Sequence, residues 1–589
     1  MIKKSKLLYI LLSFILTFNL ICCNSNNEVK DNKNITITKN VEEKFNEFLD
    51  EEFKDIVTSD TLTLHYKIRN PKDYGIKDFE PTLGKSIIES IDDSEDEISD
   101  TLKKLHSFDY DQLTDDQKLT YDIYEYYLKC ESKSDGLEYY YNLLSPTIGF
   151  QANIPINFAE YKFYNETDVT DYLSLLDQLD EYFDSVIEYE QKKSEKGLFM
   201  ADFAVDDIVN QCTEFISNPE SNCLISTFDN RINSLPDISE ENKNKYKTEN
   251  KKIVLESIIP CYKELIDELN KLKGTGTNEG GICNFPSGKK YYEYLVSSET
   301  GSNKDIDEIK DLLEDRLAKL YSDLNKLIIE SPDVIDTFTS QTSELTDPNT
   351  ILNTLMDKIA ADYPEGPPTN FNIKYVDPSL EENLSPAFYM IPAIDSYKDN
   401  VIYINNNKVK DVSLFSVLAH EGYPGHLYQY TYFCSKNPTP LRQLLDFGGY
   451  SEGWATYVEN HSYELADYNN DSLVRFSQIY NEICLAIPSI ADIGINYDGW
   501  SLEKTTKFLN TYGYDSSIAE DLYKSLIEEP ANYLQYYVGY LEFVELRDYA
   551  KEELKDKFIL KDFNEVLLNV GPAPFSIIKE HVDKYIENN

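Results

Sequence analysis

Apolar residues recur at helical spacing along most of the chain between residues 41 and 273. Residues 169–189 and 253–272 have the polar and apolar faces of long amphipathic helices, and residues 113–117 predict a capped helix start. The pattern is interrupted at residues 145–155, which contain two prolines and are predicted to form a loop. The sequence therefore predicts an N-terminal helical region.

A glycine-rich stretch, residues 273–281, separates this region from a second one at residues 282–589. Two short apolar or alternating runs, residues 372–376 and 401–404, are predicted to be strands. A predicted helix at residues 411–421 follows them. We therefore expect a mainly α protein with a small β-sheet near that helix, in which both regions form one continuous fold around a cleft.

The N-terminus has the pattern of a secretion signal. Lys3, Lys4 and Lys6 precede the apolar residues 7–21, a run too short and wrongly flanked to predict a membrane span. Because the run stops directly at cysteine, we predict a lipoprotein signal with Cys23 as the lipidated residue. A plain signal peptide that is cleaved nearby is the alternative.

This pattern assigns residues 1–22 to the signal peptide and residues 23–40, which are rich in Asn, Lys and Glu, to a flexible tether. The mature protein is then expected outside the cytoplasm, attached to the membrane through the lipid alone. The sequence makes no prediction about its oligomeric state.

Composition narrows the choice of partners. The formal net charge of the chain is −49, with 56 basic and 105 acidic residues. Nucleic acid is excluded as a partner, because contacts with phosphate need an excess of Lys and Arg. The 46 tyrosines and 28 phenylalanines supply ample material for an apolar core.

Seven cysteines remain once the two at the predicted signal are set aside. Their spacing is irregular and includes no C-x-x-C pair, so no metal or redox motif is predicted from them. Disulfides are allowed outside the cytoplasm, and Cys212 with Cys223 is the closest candidate pair.

The candidate chemistry lies in residues 419–429. Two of the six histidines, His420 and His426, fall within seven residues there, and Glu421 follows the first directly. Neutral imidazoles bind zinc, and an adjacent glutamate can take a proton from the metal-activated water. Six residues along a regular helix would leave the two rings about 120° apart. Pro424 between them predicts a kink or bulge that brings them together; a buried histidine beside a helix end is the alternative.

A third ligand is available 26 residues after His426. Glu452 lies in a predicted helix that is opened by a turn at Gly448 and Gly449, with Ser451 as a candidate N-cap. A carboxylate on a following helix would complete a three-ligand zinc site with an open position for water. An ordinary solvated glutamate in a first helical turn is the alternative.

These motifs resemble the DUF885 family of bacterial proteins, which itself resembles helical zinc metallopeptidases of the gluzincin type. One departure is Asn496, at a position where the family usually carries His, and it puts family-derived substrate contacts there in doubt. The stretches that carry the resemblance are residues 420–429, 452–455, 530–547, 557–563 and 571–575.

The resemblance implies a metallopeptidase-like helical fold and one Zn²⁺ per chain, held by His420, His426 and Glu452. It implies that Glu421 is the general base and that Tyr536 stabilises the developing oxyanion. A tyrosine in the core is the alternative for Tyr536. Three further residues are assigned by hypothesis: Arg547 to a substrate carboxylate, unless it forms a structural salt bridge, and Gln429 and Glu459 to orienting the ligands.

We therefore predict a cell-surface zinc peptidase that hydrolyses short peptides. Two alternatives remain open: a lipoprotein that binds peptide or metal without turnover, and a metal-dependent amidase or esterase. The sequence predicts neither the preferred peptide nor the end from which it is cut.

Overall fold

The computed structural model describes residues 40–589, apart from residues 78, 147, 341–345, 377–380, 382, 383 and 410–412 and the side chains of residues 92–96. The predicted signal peptide, the lipidation site Cys23 and all but the last residue of the predicted tether lie outside the described residues. Where the chain is described, no helix is both long enough and apolar enough to cross a membrane.

The N-terminal region is helical, as predicted. Thr114 caps one helix through a reciprocal capping box with Gln117, which confirms the start predicted at residues 113–117. The helices of this region are α1 (Val41–Val57), α2 (Thr61–Lys67), α3 (Ile87–Leu105), α4 (Asp115–Glu131), α5 (Phe150–Glu160), α6 (Glu166–Asp177), α7 (Leu179–Glu195), α8 (Asp202–Phe215), α9 (Cys223–Asn233), α10 (Glu240–Ile253) and α11 (Ile259–Leu272).

Two details differ from the prediction. The helix predicted at residues 169–189 is divided at Gln178 into α6 and α7. Pro155, which was expected in a loop, lies inside α5. A proline there removes the bond to the carbonyl of Gln151, and the hydroxyl of Tyr262 donates to that carbonyl instead, at 2.8 Å.

A three-stranded sheet precedes the candidate chemistry, in the order β1 (Asn370–Tyr375), β3 (Asp399–Ile404), β2 (Ala387–Met390). Strands β1 and β3 were predicted and pair in parallel, whereas β2 was missed and pairs antiparallel with β3. All four residues of β2 are buried, so the strand has no alternation of polar and apolar positions to reveal it.

The rest of the chain is again helical. A mainly α fold with a small sheet is thus confirmed, with helices α12 (Gly288–Thr300), α13 (Ile306–Glu330), α14 (Val334–Ser340), α15 (Pro348–Lys358), α16 (Leu414–Glu421), α17 (His426–Ser435), α18 (Gly448–Leu465), α19 (Asp471–Asn496), α20 (Leu502–Thr511), α21 (Ser516–Glu528), α22 (Asn532–Leu554), α23 (Leu560–Val570) and α24 (Phe575–Glu587).

Two large apolar clusters form most of the core. One is built almost entirely from residues 144–269, and the other joins residues 45–137 to residues 282–582. The packing therefore divides the chain differently from the predicted boundary at 273–281, because the first four helices pack with the C-terminal part.

The expected pairing of Cys212 with Cys223 does not form. Both side chains are buried free thiols packed in the apolar core around Tyr262.

Candidate metal centre

A break between two helices brings the histidines together. Helix α16 ends at Glu421 and α17 begins at His426, so the predicted kink is a short connection between separate helices. Within it the amide of Gly425 donates to the carbonyl of Ala419 at 2.9 Å. A β-carbon at Gly425 would overlap the carbonyl of His420, so only glycine fits there.

Trp454 fixes this connection from the neighbouring helix. Its indole nitrogen donates to the carbonyl of Pro424 at 2.9 Å, and its side chain is fully buried. The tryptophan is therefore a packing residue that ties the connection to α18, the helix that carries Glu452.

The three predicted ligands converge on one point. Oε2 of Glu452 lies 3.4 Å from Nε2 of His420 and 3.5 Å from Nε2 of His426. One donor atom from each residue lies within 4.8 Å of the others, and all three residues are buried. The imidazole rings are nearly perpendicular, with centroids 4.8 Å apart. Both rings thus direct a nitrogen at the same carboxylate.

Close packing of α18 on α22 positions Glu452. A β-carbon at Gly453 would overlap the backbone of Gly539 on α22, and one at Gly539 would overlap the carbonyl of Gly449. The predicted turn at Gly448 and Gly449 is wrong, because both residues lie in the first turn of α18. Packing against the neighbouring backbones, rather than a turn, accounts for these glycines.

Ser451 is not the N-cap of α18. The helix starts at Gly448, with Phe447 at the N-cap position, and Ser451 lies inside it. Residues 449–453 also fit the G-x-S-x-G pattern of serine hydrolases, but that pattern needs a sharp strand-to-helix turn. The Ser451 hydroxyl donates to Asp446 at 3.3 Å instead. Nothing in this geometry activates it as a nucleophile.

The charges at the centre are strongly coupled. Burial alone lowers the pKa of His420, but hydrogen bonds with Glu452 and Glu459 and the charge of Glu421 raise it to about 10. Burial raises the pKa of Glu452, but His426 and His420 outweigh it and lower the pKa to about 2. The carboxylates therefore need positive charge at this point, which either an imidazolium or a divalent cation supplies.

The donor set fits zinc. Nε2 of His426 is buried and makes no hydrogen bond with any described residue. Two imidazole nitrogens and one carboxylate oxygen are a common set of protein ligands at catalytic zinc sites. A cation between them would give that nitrogen a partner, which buried polar atoms require.

Glu421 is fully buried beside the ligands. Its Oε2 accepts a hydrogen bond from the backbone amide of Tyr389 at 2.9 Å, and its Oε1 makes none with the described residues. Burial raises the pKa of Glu421. The charges of His420 and His426 oppose this effect, and the charge of Glu452 adds to it. The contact with Tyr389 was missed because it comes from β2, the strand that the hydrophobic pattern does not show.

Glu459 and Gln429 were both predicted to orient the ligands. Glu459 lies 3.2 Å from Nδ1 of His420 and is buried, which leaves Nε2 of that ring directed at the centre. Gln429 is buried, but none of the side-chain hydrogen bonds described for residues 40–589 joins it to His420, His426 or Glu452. Of these two residues, Glu459 is thus the one with a described hydrogen bond to a ligand.

Tyr536 and Arg547 lie on α22 but not at the same place. The Tyr536 ring is buried and lies nearly parallel to the ring of His420, with centroids 6.4 Å apart. Arg547 is eleven residues further along, about 16 Å by helical rise, and it donates to Asp548 at 2.9 Å. Arg547 therefore does not lie at the centre. It forms a salt bridge with Asp548, which was the alternative to a substrate contact.

Asn496 is part of a buried structural network. Its side chain donates to the carbonyl of Leu526 at 2.8 Å and to Asp492 at 3.3 Å, and it accepts from the amide of Ile282. Tyr292 donates to the same Asp492 carboxylate at 2.5 Å. Asn496 therefore joins three segments of the core rather than facing the centre.

Two solved structures share the fold. A candidate lipoprotein from Colwellia psychrerythraea is 20% identical, with a TM-score of 0.80 over 93% of this chain and 100% of that chain. A candidate lipoprotein of unknown function from Shewanella oneidensis is 16% identical, with a TM-score of 0.61 over 91% and 99% of the two chains. At these identities the likeness shows the fold alone.

A comparison with curated proteins finds no match. Residues 74–582 match the family described as bacterial proteins of unknown function, DUF885. This match covers most of the chain, and the chain belongs to the DUF885 family.

Proposed function

We propose that this protein is a zinc-dependent peptidase that hydrolyses short peptides. The observation that carries the proposal is the convergence of His420, His426 and Glu452 beside Glu421. Their donor atoms lie within 4.8 Å of one another in a buried site, and Oε1 of Glu421 makes no hydrogen bond with the described residues. A structural ion site would not require that second carboxylate.

Zinc bound there would supply a Lewis acid and would lower the pKa of a coordinated water. Glu421 would take the proton of the attacking water on its Oε1, because Oε2 is already held by the amide of Tyr389. It would then donate that proton to the leaving amine. The amide of Tyr389 thus fixes which oxygen carries the proton.

Tyr536 is proposed to stabilise the negative charge that develops on the substrate carbonyl. Its ring is buried and lies alongside the ring of the ligand His420. A phenol in such a place can donate a hydrogen bond to an oxyanion without reorganising water.

Strand β2 offers an edge on which an extended peptide could lie. The amide of Asn405 on the β3 side donates to the carbonyl of Pro386, so alternate residues of β2 direct their polar groups away from β3. Ala387 and Tyr389 are those residues, and the amide of Tyr389 faces Glu421. A substrate strand added at this edge would pair with the polar groups of Ala387 and the carbonyl of Tyr389, because Glu421 holds the amide of Tyr389, and its backbone would lie beside the centre.

Enclosure of the site favours short substrates. His420 and Glu421 have no exposed surface, and His426 is 6% exposed. A long folded chain could not reach such a centre without large rearrangement, whereas a few residues of extended peptide could enter it.

The location proposed for the protein is the outer face of the cell membrane, through a lipid on Cys23. The support is the sequence Lys3 to Cys23 and the likeness of the fold to two candidate lipoproteins. Cys23→Ser would release the protein from the membrane fraction, and retention of that variant in the membrane would contradict the anchor.

Metal analysis and peptide digestion test the activity. The purified protein should hold about one zinc per chain and should cut a mixed peptide library, with cutting abolished by a chelator and restored by zinc. His426→Ala should lose both zinc and cutting. His106→Ala is the matched control, because His106 pairs with Glu125 at the surface.

Full cutting by metal-free protein would contradict the proposal. Zinc bound with no cutting of any peptide would also contradict it and would favour the alternative of a binding protein without turnover. Hydrolysis of amides or esters, but of no peptide, would favour the second alternative.

A further inference from the structure

A small pocket lies where the two apolar clusters meet, apart from the candidate metal centre. Four segments form its walls, residues 140–146, 198–204, 278–285 and 527–528, and none of the residues of the centre is among them. The volume of the pocket is about 40 Å³, which is enough for roughly three water molecules. It can therefore hold a small chemical group rather than a length of peptide.

Most of the wall is apolar and comes from both clusters. Met200 packs against the cluster of residues 144–269, and Phe285 and Ile527 pack against the other cluster. The rings of Tyr140 and Phe285 are nearly perpendicular, with centroids 6.3 Å apart. Aliphatic carbon is favoured between such walls, and aromatic rings also attract cations.

Glu528 is the one charged residue in the described wall of the pocket. It is the last residue of α21, and its backbone carbonyl accepts a hydrogen bond at 3.0 Å from the side chain of Asn142, another wall residue. Its Oε1 is buried and accepts no hydrogen bond from any described residue. A buried carboxylate oxygen without a donor is costly, so a ligand that brings a donor would be stabilised here.

Two lysines lie near the pocket, and their described contacts are with other groups. Nζ of Lys524, one turn before Glu528 on α21, pairs with Glu520 at 2.9 Å. Nζ of Lys193 donates to the carbonyl of Tyr141 at 2.8 Å. Neither ammonium group forms a described ion pair with Glu528, so the charge of its carboxylate is not neutralised in this way.

The neighbouring acids add to the negative charge. Burial and the charges of Asp207 and Glu529 raise the pKa of Glu528 to about 8, and the charge of Lys524 opposes this effect only in part. Glu529 is itself 6% exposed, and its Oε1 also accepts no hydrogen bond from a described residue. An anion would be repelled here, whereas a cation with N–H groups would supply both the charge and the donors.

We propose that this pocket binds the ammonium group of a small aliphatic primary amine, with the carboxylate of Glu528 as acceptor and the apolar walls around the carbon chain. A primary ammonium brings three N–H donors, whereas a quaternary one brings none. A free amino acid is disfavoured by its own carboxylate. A divalent metal is disfavoured because it needs several oxygen ligands, and the described wall offers a single carboxylate.

An amine bound here would join the two apolar clusters, because the wall segments belong to both. A ligand that binds the folded protein and not the unfolded chain raises stability. The temperature of unfolding should therefore rise with the concentration of the amine. This effect is independent of the peptidase function proposed above.

Titration of the zinc-loaded protein with n-butylamine tests the proposal, with binding followed by saturation-transfer NMR. 1-Butanol and pentanoate are the matched probes, with a neutral and a negative head group. A pH of about 8.5 keeps Glu528 charged, and about 0.3 M salt screens the general attraction of cations to this acidic protein. The amine should bind about tenfold more tightly than the alcohol, and pentanoate should not bind.

Variants locate the bound amine. Glu528→Gln should weaken binding of the amine by about tenfold and abolish its effect on the temperature of unfolding, with little change for the alcohol. Ala204→Leu places a larger side chain in the wall and should remove binding of both probes. Glu503→Gln, an exposed change on α20, is the matched control and should bind the amine as the wild type does. His426→Ala should also bind it unchanged, because the pocket is apart from the zinc ligands.

Equal binding of amine and alcohol by the wild-type protein would overturn the proposal. So would unaltered binding of the amine by Glu528→Gln, or an equal loss in Glu503→Gln, which would show general attraction to the acidic surface. Loss of binding in His426→Ala would place the amine at the zinc and would likewise overturn the proposal. Circular dichroism checks the fold of each variant, and if Ala204→Leu does not fold, Glu528→Gln still decides. Since no turnover is measured, failure of the peptidase function leaves this test intact.

Discussion

At the scale of single residues, the centre combines an acid and a base in one buried place. Three glutamates, Glu421, Glu452 and Glu459, surround the two imidazoles within contact distance or electrostatic reach. Each glutamate has a different neighbour, so each can have a different role in the proposed reaction. Glu452 faces both rings, Glu459 faces the outer nitrogen of His420, and Glu421 is held by a backbone amide.

Glu421→Gln should keep zinc and lose turnover. The amide is isosteric but cannot accept the proton of the attacking water, so kcat should fall by about 10²- to 10⁴-fold. Steady-state kinetics and zinc content measure the two effects separately. Glu464→Gln, an exposed change on α18, should leave both unaltered, and turnover by Glu421→Gln equal to that of the wild type would remove Glu421 from the mechanism.

Glu459→Gln should weaken zinc binding while leaving the ligands in place. The carboxylate that holds the Nδ1 side of His420 orients the ring and makes it a better ligand. Loss of such a partner typically costs 10- to 100-fold in metal affinity, roughly. Competition with a chromophoric chelator measures the change. Unaltered affinity would show that Glu459 does not support the ligand.

At this scale the sequence predicts the ligands better than their supports. His420, Glu421, His426 and Glu452 are recognisable because zinc chemistry needs those residue types. Tyr389 is not, since its contribution is a backbone amide and leaves no trace in the side chain. Arg547 shows the opposite failure: a suitable side chain that the helix places about 16 Å further along.

At the scale of elements, the packing of helix α18 against helix α22 positions the residues of the centre. Gly449, Gly453 and Gly539 let the two backbones approach closely, which sets Glu452 and Tyr536 on facing helices. The sequence pattern alone favours a Gly-Gly turn at this place. The same local sequence also fits a helix whose glycines pack against a neighbouring backbone. The two cases differ in their tertiary environment, which a single sequence does not reveal.

Gly453→Ala should destabilise the protein. The added methyl group would overlap the backbone of Gly539, and neither backbone can move aside as a side chain can. Overpacking of this kind costs about 1–3 kcal/mol in the free energy of unfolding. Urea denaturation followed by circular dichroism measures it. Glu464→Ala on the exposed side of the same helix is the control, and a Gly453→Ala protein as stable as this control would contradict the packing.

At the scale of the whole molecule, several acids are buried away from the centre. Burial raises the pKa of Asp492 to about 7, although hydrogen bonds from Tyr292 and Asn496 lower it. Burial also raises the pKa of Glu529 to about 8. Both groups bind protons more tightly in the folded protein than in the unfolded chain. Their contribution to stability is therefore complete at acidic pH and is lost as the pH rises through 7 to 8.

The free energy of unfolding should accordingly fall between about pH 5 and pH 9. Asp492→Asn, which removes one of the titrating groups, should have a flatter profile and gain relative to the wild type by a few kcal/mol, roughly, at the alkaline end. Urea titrations at several pH values measure this. A wild-type profile that rises with pH in this range, or one unchanged by Asp492→Asn, would contradict the assignment.

The overall architecture was largely predictable from helical periodicity, because 3.6-residue patterns are long and repeated. Which helices pack together in each apolar core was not predictable from this periodicity. Residues 45–137 pack with the C-terminal part, although residues 144–269 lie between the two in the sequence. That arrangement depends on contacts between segments far apart in sequence.

Anomalous diffraction at the zinc absorption edge, on crystals of zinc-loaded protein, tests the central claim most directly. We predict a single strong peak, about 2.0–2.2 Å from Nε2 of His420, from Nε2 of His426 and from a carboxylate oxygen of Glu452. A peak bound by other residues, or no peak between these three in protein that carries one zinc per chain, would contradict the account.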